Sequence, residues 1–127
     1  MISYLEKNKT IPLIITIILA IEIFLFSNLV ITTGATNKIN FATIYHFGIF
    51  LMFTFFLLIT IKGKNKLNKK YFLTTILISI FYATTDEFHQ LFVPGRYAGL
   101  NDILVDSIGS LCSMILFFFI DKKTKHV

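Results

Sequence analysis

Charge is scarce in this sequence, and cysteine and arginine are scarcer still. The 127 residues include one cysteine and one arginine, and Asp, Glu, Lys and Arg together make up 15%. The lone Cys112 lies inside an apolar run, so no intramolecular disulfide can form and cysteine usage says nothing about compartment. There is no Gly-rich phosphate loop, no Ser-His or Cys-His arrangement and no Arg- and His-rich lipid-phosphatase motif. Internal repeats and low-complexity segments are also missing. The net charge of +5 comes from lysines beside apolar runs and not from a basic helix face, which excludes nucleic acid as an expected partner.

What is abundant is apolar surface. Hydrophobic residues reach 55% and aromatic residues 16%, above the roughly 45–50% apolar share of soluble domains. Three runs satisfy the need of a membrane-spanning helix for about 20 apolar residues: 11–31, 41–61 and 103–120. A fourth, 71–85, is short, and reaches spanning length only if the helix continues through "DEFHQLF" to about Val93. The expected fold is all-α: a single domain over 1–127, a polytopic four-transmembrane-helix bundle with helices at about 11–31, 42–61, 71–93 and 102–120. The first run resembles a signal peptide in its lysine-led start. Its core is longer than the usual h-region of about 7–15 residues and carries Glu22 at its middle, so it reads as a retained helix.

Lysines set the expected orientation. Lys7, Lys9, Lys62, Lys64, Lys66, Lys69, Lys70, Lys122, Lys123 and Lys125 fall on one side, against Lys38 and Arg96 on the other. Under the positive-inside rule both termini face the cytoplasm and the segment 85–109, "TDEFHQLFVPGRYAGLNDILVDSIG", faces outward.

Depth follows from the rise of about 1.5 Å per residue. Glu22, His46, Asp86 and Asp106 lie 13 to 16 residues from the inner edge, at roughly 20–24 Å. Each of four helices thus delivers one ionisable side chain to one layer. Isolated charges at such depth cost about 2.5–3.5 kcal/mol each, so a shared polar pocket or mutual pairing is expected. Asp86, His89 and Gln90 share a helix face at i, i+3 and i+4, with Glu87 about 100° round from Asp86. Asp102, Asp106, Gly109 and Ser113 repeat the spacing on the last helix, where Gly109 and Ser113 suit close helix packing in lipid. "VPGR" reads as a turn with Pro94 and Gly95 central, folding Arg96 over the pocket.

Each of these residues also has a plainer explanation. The cluster can be a structural ion-pair network in which Arg96, His46 and His89 neutralise carboxylates and fix helix packing. Asn101 or Asp102 is expected to cap the last helix. Glu22 can be a protonated acid bonded to a neighbour, and Tyr45, Tyr82 and Tyr97 belong to an interfacial belt. Asp86 with His89 has metal-binding spacing that His46 and Asp106 could complete, yet no second such pair exists. No metal and no cofactor are expected.

"IFLFSN", "YHFGIF", "DEFHQLFVPGR" and "NDILVDSIGS", in this order from about residue 20 to 118, resemble the VanZ-like membrane protein family. The resemblance implies a small helical membrane protein of the bacterial plasma membrane, in a family named after a member linked to low-level teicoplanin resistance. By motif position it carries over His46, Asp86, Glu87, His89, Gln90, Arg96, Asp102, Asp106 and Gly109. Members often have a second serine where this chain has Asn28. The expected partners are the lipid bilayer and an amphiphilic or lipid-linked envelope molecule. A non-enzymatic role is expected, with no catalytic residue assigned; the alternatives are an intramembrane enzyme on lipid-linked substrates and a proton-linked transporter.

Overall fold

The computed structural model describes residues 2–29, 41–96 and 98–124. Every element among them is an α-helix: α1 (Ile2–Lys7), α2 (Thr10–Ser27), α3 (Phe41–Lys62), α4 (Lys69–Gln90) and α5 (Leu100–Thr124). The end of the first expected span at residues 30 and 31, together with Lys38, Tyr97 and Lys125, lies outside the described residues.

Local chemistry explains the helix boundaries. Pro12 falls in the first turn of α2, where a missing N–H costs nothing, and the Thr16 hydroxyl donates to its carbonyl at 2.7 Å. Helix α3 ends at Lys62 because Gly63 adopts φ +54° and its N–H closes on the Ile59 carbonyl at 2.8 Å. Asn68 caps α4, its side-chain oxygen accepting from the Tyr71 N–H at 3.1 Å. The expected run of α4 to Val93 stops at Gln90. From there Phe92 and Val93 bond back only three residues, to the carbonyls of His89 and Gln90, and the chain enters the Pro-Gly turn. In that turn the Arg96 N–H reaches the Val93 carbonyl at 3.1 Å, with Gly95 at φ +83°, as the sequence "VPGR" leads one to expect.

Three helices, Thr10–Ser27, Phe41–Lys62 and Leu100–Lys122, are long and apolar enough to cross a membrane. Helix α4 has 22 residues but carries too many polar groups to join them on composition. Its outward face is nevertheless apolar, with Leu73, Leu77, Phe81 and Phe88 exposed. The other helices share this inside-out distribution. Ile14, Ile17, Ile18, Ile115 and Phe119 point outward, whereas Thr54, Thr75, Ser79, Ser110 and Ser113 are buried. A soluble protein would reverse it; in lipid the polar groups must satisfy one another inside.

Helix α3 sits at the centre, packed most extensively on α5 and also on α2, α4 and α1. Its contact with α5 is close because position 109 has no side chain: a Cβ there would stand 2.5 Å from the Phe47 carbonyl oxygen. At mid-depth Thr54 Oγ1 lies 2.9 Å from both Ser79 Oγ and Ser110 Oγ, tying α3 to α4 and α5. One apolar cluster built on Ile23, Phe50, Phe53 and Ala83 lies on one side of this node, and a second built on Leu58, Ile59, Met114 and Phe117 on the other. The short α1 was not expected. It buries Ile2 in the second cluster and brings Glu6 to the Lys62 ammonium at 2.5 Å.

Candidate functional site

Away from the lysine-bearing α3–α4 loop, the helices close around a group of acids. On α3 His46 is buried and its Nδ1 lies 3.1 Å from Asp106 Oδ1 on α5, an ion pair if the ring is protonated and a hydrogen bond otherwise. On α4 the Gln90 amide nitrogen donates both hydrogens, to Asp86 Oδ2 at 3.0 Å and to Glu87 Oε1 at 3.2 Å. This is the i, i+4 and i, i+3 geometry of one helix turn. The second oxygen of Glu87 accepts from the Gly99 N–H at 2.8 Å, so a carboxylate on α4 anchors the start of α5. That contact explains a difference from expectation. Helix α5 begins at Leu100, and Asn101 and Asp102 lie within its first turn instead of at the cap. Asp102 still favours the helix dipole there.

Asp86, Glu87, Gln90 and Asp106 are all at most 4% exposed. Among the described residues, Asp86 Oδ1 and Asp106 Oδ2 are buried with no hydrogen-bond partner within 3.5 Å, although the Ser27 hydroxyl lies beside the Asp86 carboxylate. Each such acceptor costs about 1–3 kcal/mol against a satisfied one. His46, Asp86 and Glu87 each offer a ligating atom, and these atoms lie within 4.8 Å of one another. Among the described residues, Arg96 forms no ion pair with any of these acids; its Nε is buried and unpartnered. It lines a small cavity of about 10 Å³ with Ser27, Tyr45 and His46. That is room for about one water or one ion.

Two of the sequence candidates stand apart. His89 was placed on the same face as Asp86 and Gln90, but its Nε2 meets Asn28 Oδ1 at 3.0 Å and its ring lies 4.7 Å from that of Phe24. It links α4 to the end of α2, and Glu87 takes the inward position instead. Glu22, half-buried on α2, makes no hydrogen bond or ion pair among the described residues. Gly109 and Ser113 lie at the α3–α5 contact and in the interior respectively, both buried.

Two tyrosines depart from the belt expected of them. Tyr82 donates its hydroxyl to the Ala20 carbonyl at 2.6 Å, and Tyr45 stacks on Phe26 at 5.0 Å with its hydroxyl buried and unpartnered. Ser27, 3% exposed and beside Asp86, was not among the sequence candidates. Its place in "FSN" one turn beyond Ile23 was the available signal.

No curated protein and no solved structure matches the chain. The VanZ/LLP1 family model matches residues 5–121, a segment holding all of α2, α3 and α4, the Pro-Gly turn and the Asp102, Asp106 and Gly109 positions, and the chain therefore belongs to the VanZ/LLP1 family.

Proposed function

We propose that this protein is a multi-pass plasma-membrane protein in which α2, α3, α4 and α5 all span the bilayer as a four-helix bundle and both termini face the cytoplasm. Its acid cluster then opens toward the outer leaflet. There it acts without catalysis, altering how the cell envelope meets teicoplanin-type lipoglycopeptides by engaging an amphiphilic or lipid-linked envelope molecule. The observation that carries this is Arg96, whose buried Nε lacks a partner among the described residues and which lines a cavity with His46 and Ser27, beside a group rich in carboxylates. A cavity of about 10 Å³ does not admit a sugar or a phosphate. The headgroup therefore docks at the rim, its anionic part on the Arg96 guanidinium, while Asp86, Glu87 and Asp106 shape the field beneath it.

Expression in a susceptible bacterial host tests the proposal. The expected result is a raised minimal inhibitory concentration for teicoplanin that Arg96→Gln removes; unchanged susceptibility to teicoplanin, vancomycin and daptomycin would overturn it. Reporter fusions at both termini should give cytoplasmic signals at each end, as the lysine distribution requires.

A second reading rests on the His46–Asp106 pair. An imidazole held at Nδ1 by a buried carboxylate is the arrangement of a general base, which suits an intramembrane enzyme on lipid-linked substrates. Conversion of a lipid-linked envelope intermediate by purified protein, followed by mass spectrometry, decides for or against it. A proton-linked transporter is the remaining alternative, and a proton flux into protein-loaded vesicles would mark it.

A further inference from the structure

Three carboxylates converge on one histidine inside this fold with no lysine or arginine paired to them among the described residues. In an apolar medium such an excess is removed either by proton uptake or by a cation. The geometry points to the cation. We propose that His46, Asp86 and Glu87 bind one first-row divalent metal ion of borderline softness, such as Zn²⁺, and that Asp106 is a positioning residue for the histidine. This inference rests on the outer cluster being a site and deepens that reading.

Three observations support it independently of charge counting. First, the donor set is one imidazole and two carboxylates, and its ligating atoms lie within 4.8 Å of one another. Ligands on tetrahedral zinc stand about 3.4 Å apart for bonds of about 2.1 Å, so closing the site takes a shift of about an ångström, within the rotation of a carboxylate. Second, among the described residues Asp86 Oδ1 is an acceptor without a donor, on a side chain 4% exposed. An oxygen that a metal ligates has no need of a protein donor. Third, the surrounding bonds match what metal ligands need. Asp106 engages Nδ1 of His46, which leaves Nε2 as the ligating nitrogen and fixes the ring, and Gln90 together with the Gly99 N–H holds the oxygens of Asp86 and Glu87 from behind.

The chemistry of the set also selects the ion. Mg²⁺ and Ca²⁺ take all-oxygen shells, whereas an imidazole nitrogen favours zinc or its first-row neighbours. With three protein ligands a tetrahedral ion keeps one open position. Arg96 lines the same small cavity as the ligand His46, so an anionic group docked at its rim would lie between the guanidinium and the histidine side of the site.

The test uses the full chain in nanodiscs, stripped with a chelator and desalted. Isothermal titration with ZnCl₂ and with MgCl₂, and elemental analysis after gel filtration, should give one zinc per chain, with magnesium weaker by at least 100-fold. His46→Gln and Glu87→Gln should each lower zinc affinity tenfold or more, and Asp106→Asn by about 10- to 100-fold. Thr85→Ala, on the exposed face of α4, should leave it unchanged. In Co²⁺-loaded protein Asp106→Asn should shift the visible absorption bands, which a merely structural role would not do. Folded wild-type protein that holds no zinc, or that holds no more than the His46→Gln/Glu87→Gln double variant, overturns the proposal. If His46→Gln does not fold, the wild-type stoichiometry and Glu87→Gln decide. Failure here is separable from failure of the envelope role: zinc binding that is absent while expression still raises teicoplanin resistance removes only the metal, and stoichiometric zinc without any susceptibility change removes only the resistance.

Discussion

The two ends of this protein bury charge in opposite ways. At the end where α3 meets the lysine loop, one cation is enclosed: Lys62, 2% exposed, donates to Glu6 at 2.5 Å and to the Gly63 carbonyl at 3.4 Å, lies 3.7 Å from Asp121, and sits 5.7 Å from the centre of the Phe117 ring. Two of its hydrogens have acceptors, and its charge has counter-charges on α1 and α5. At the other end Asp86, Glu87 and Asp106 share one histidine and one glutamine, and among the described residues two carboxylate oxygens and the Arg96 Nε lack hydrogen-bond partners. A network built only to hold helices together resembles the first. The second leaves carboxylate oxygens without donors among the described residues, at a cost to stability.

Substitutions should separate the two ends by size of effect. Lys62→Met leaves Glu6 without the cation it pairs with and should cost about 3 kcal/mol in unfolding by denaturant in detergent micelles. A loss under about 1 kcal/mol would mean the balanced end is not structural. Gly109→Ala pushes a methyl group against the Phe47 carbonyl and should cost about 1–3 kcal/mol, read by the same unfolding curve. Thr54→Val removes the hydroxyl that joins Ser79 and Ser110 and should cost about 0.6–1 kcal/mol, the usual worth of such bonds in membrane proteins. The smallest effect on stability is expected from Asp86→Asn, since it removes a charge whose Oδ1 has no donor and keeps an oxygen for Gln90. Folding should stay within about 0.5 kcal/mol of wild type while the teicoplanin effect disappears. Unfolding of the Asp86→Asn protein would return the outer cluster to the class of structural networks.

Much of this contrast could be read from the sequence, and the residues show where legibility stopped. Helix rise gives depth linear in residue number and groups His46, Asp86 and Asp106, but the same count placed Glu22 with them, and Glu22 makes no hydrogen bond or ion pair among the described residues. The Val93–Arg96 turn follows from the conformational demands of Pro94 and Gly95. Which of Glu87 and His89 turns inward was not legible. They lie on either side of Asp86 and Gln90 around the helix, and the choice depends on Gly99 and Asn28, partners far away in sequence. The start of α5 moved for the same reason. Helix α1 was not legible because six residues carry no periodic signal, and its place is set by long-range contacts, Ile2 in the second apolar cluster and Glu6 on Lys62.

The missing side chain at position 109 has one more implication. Asp106 stands one turn before it on α5, and His46 precedes the Phe47 whose carbonyl it nearly touches. The gap between imidazole and carboxylate is thus governed by two backbones in direct apposition, as calliper jaws are governed by their frame. A methyl group at 109 would open those jaws, and the loss would register first at the histidine, in residues that no one had altered.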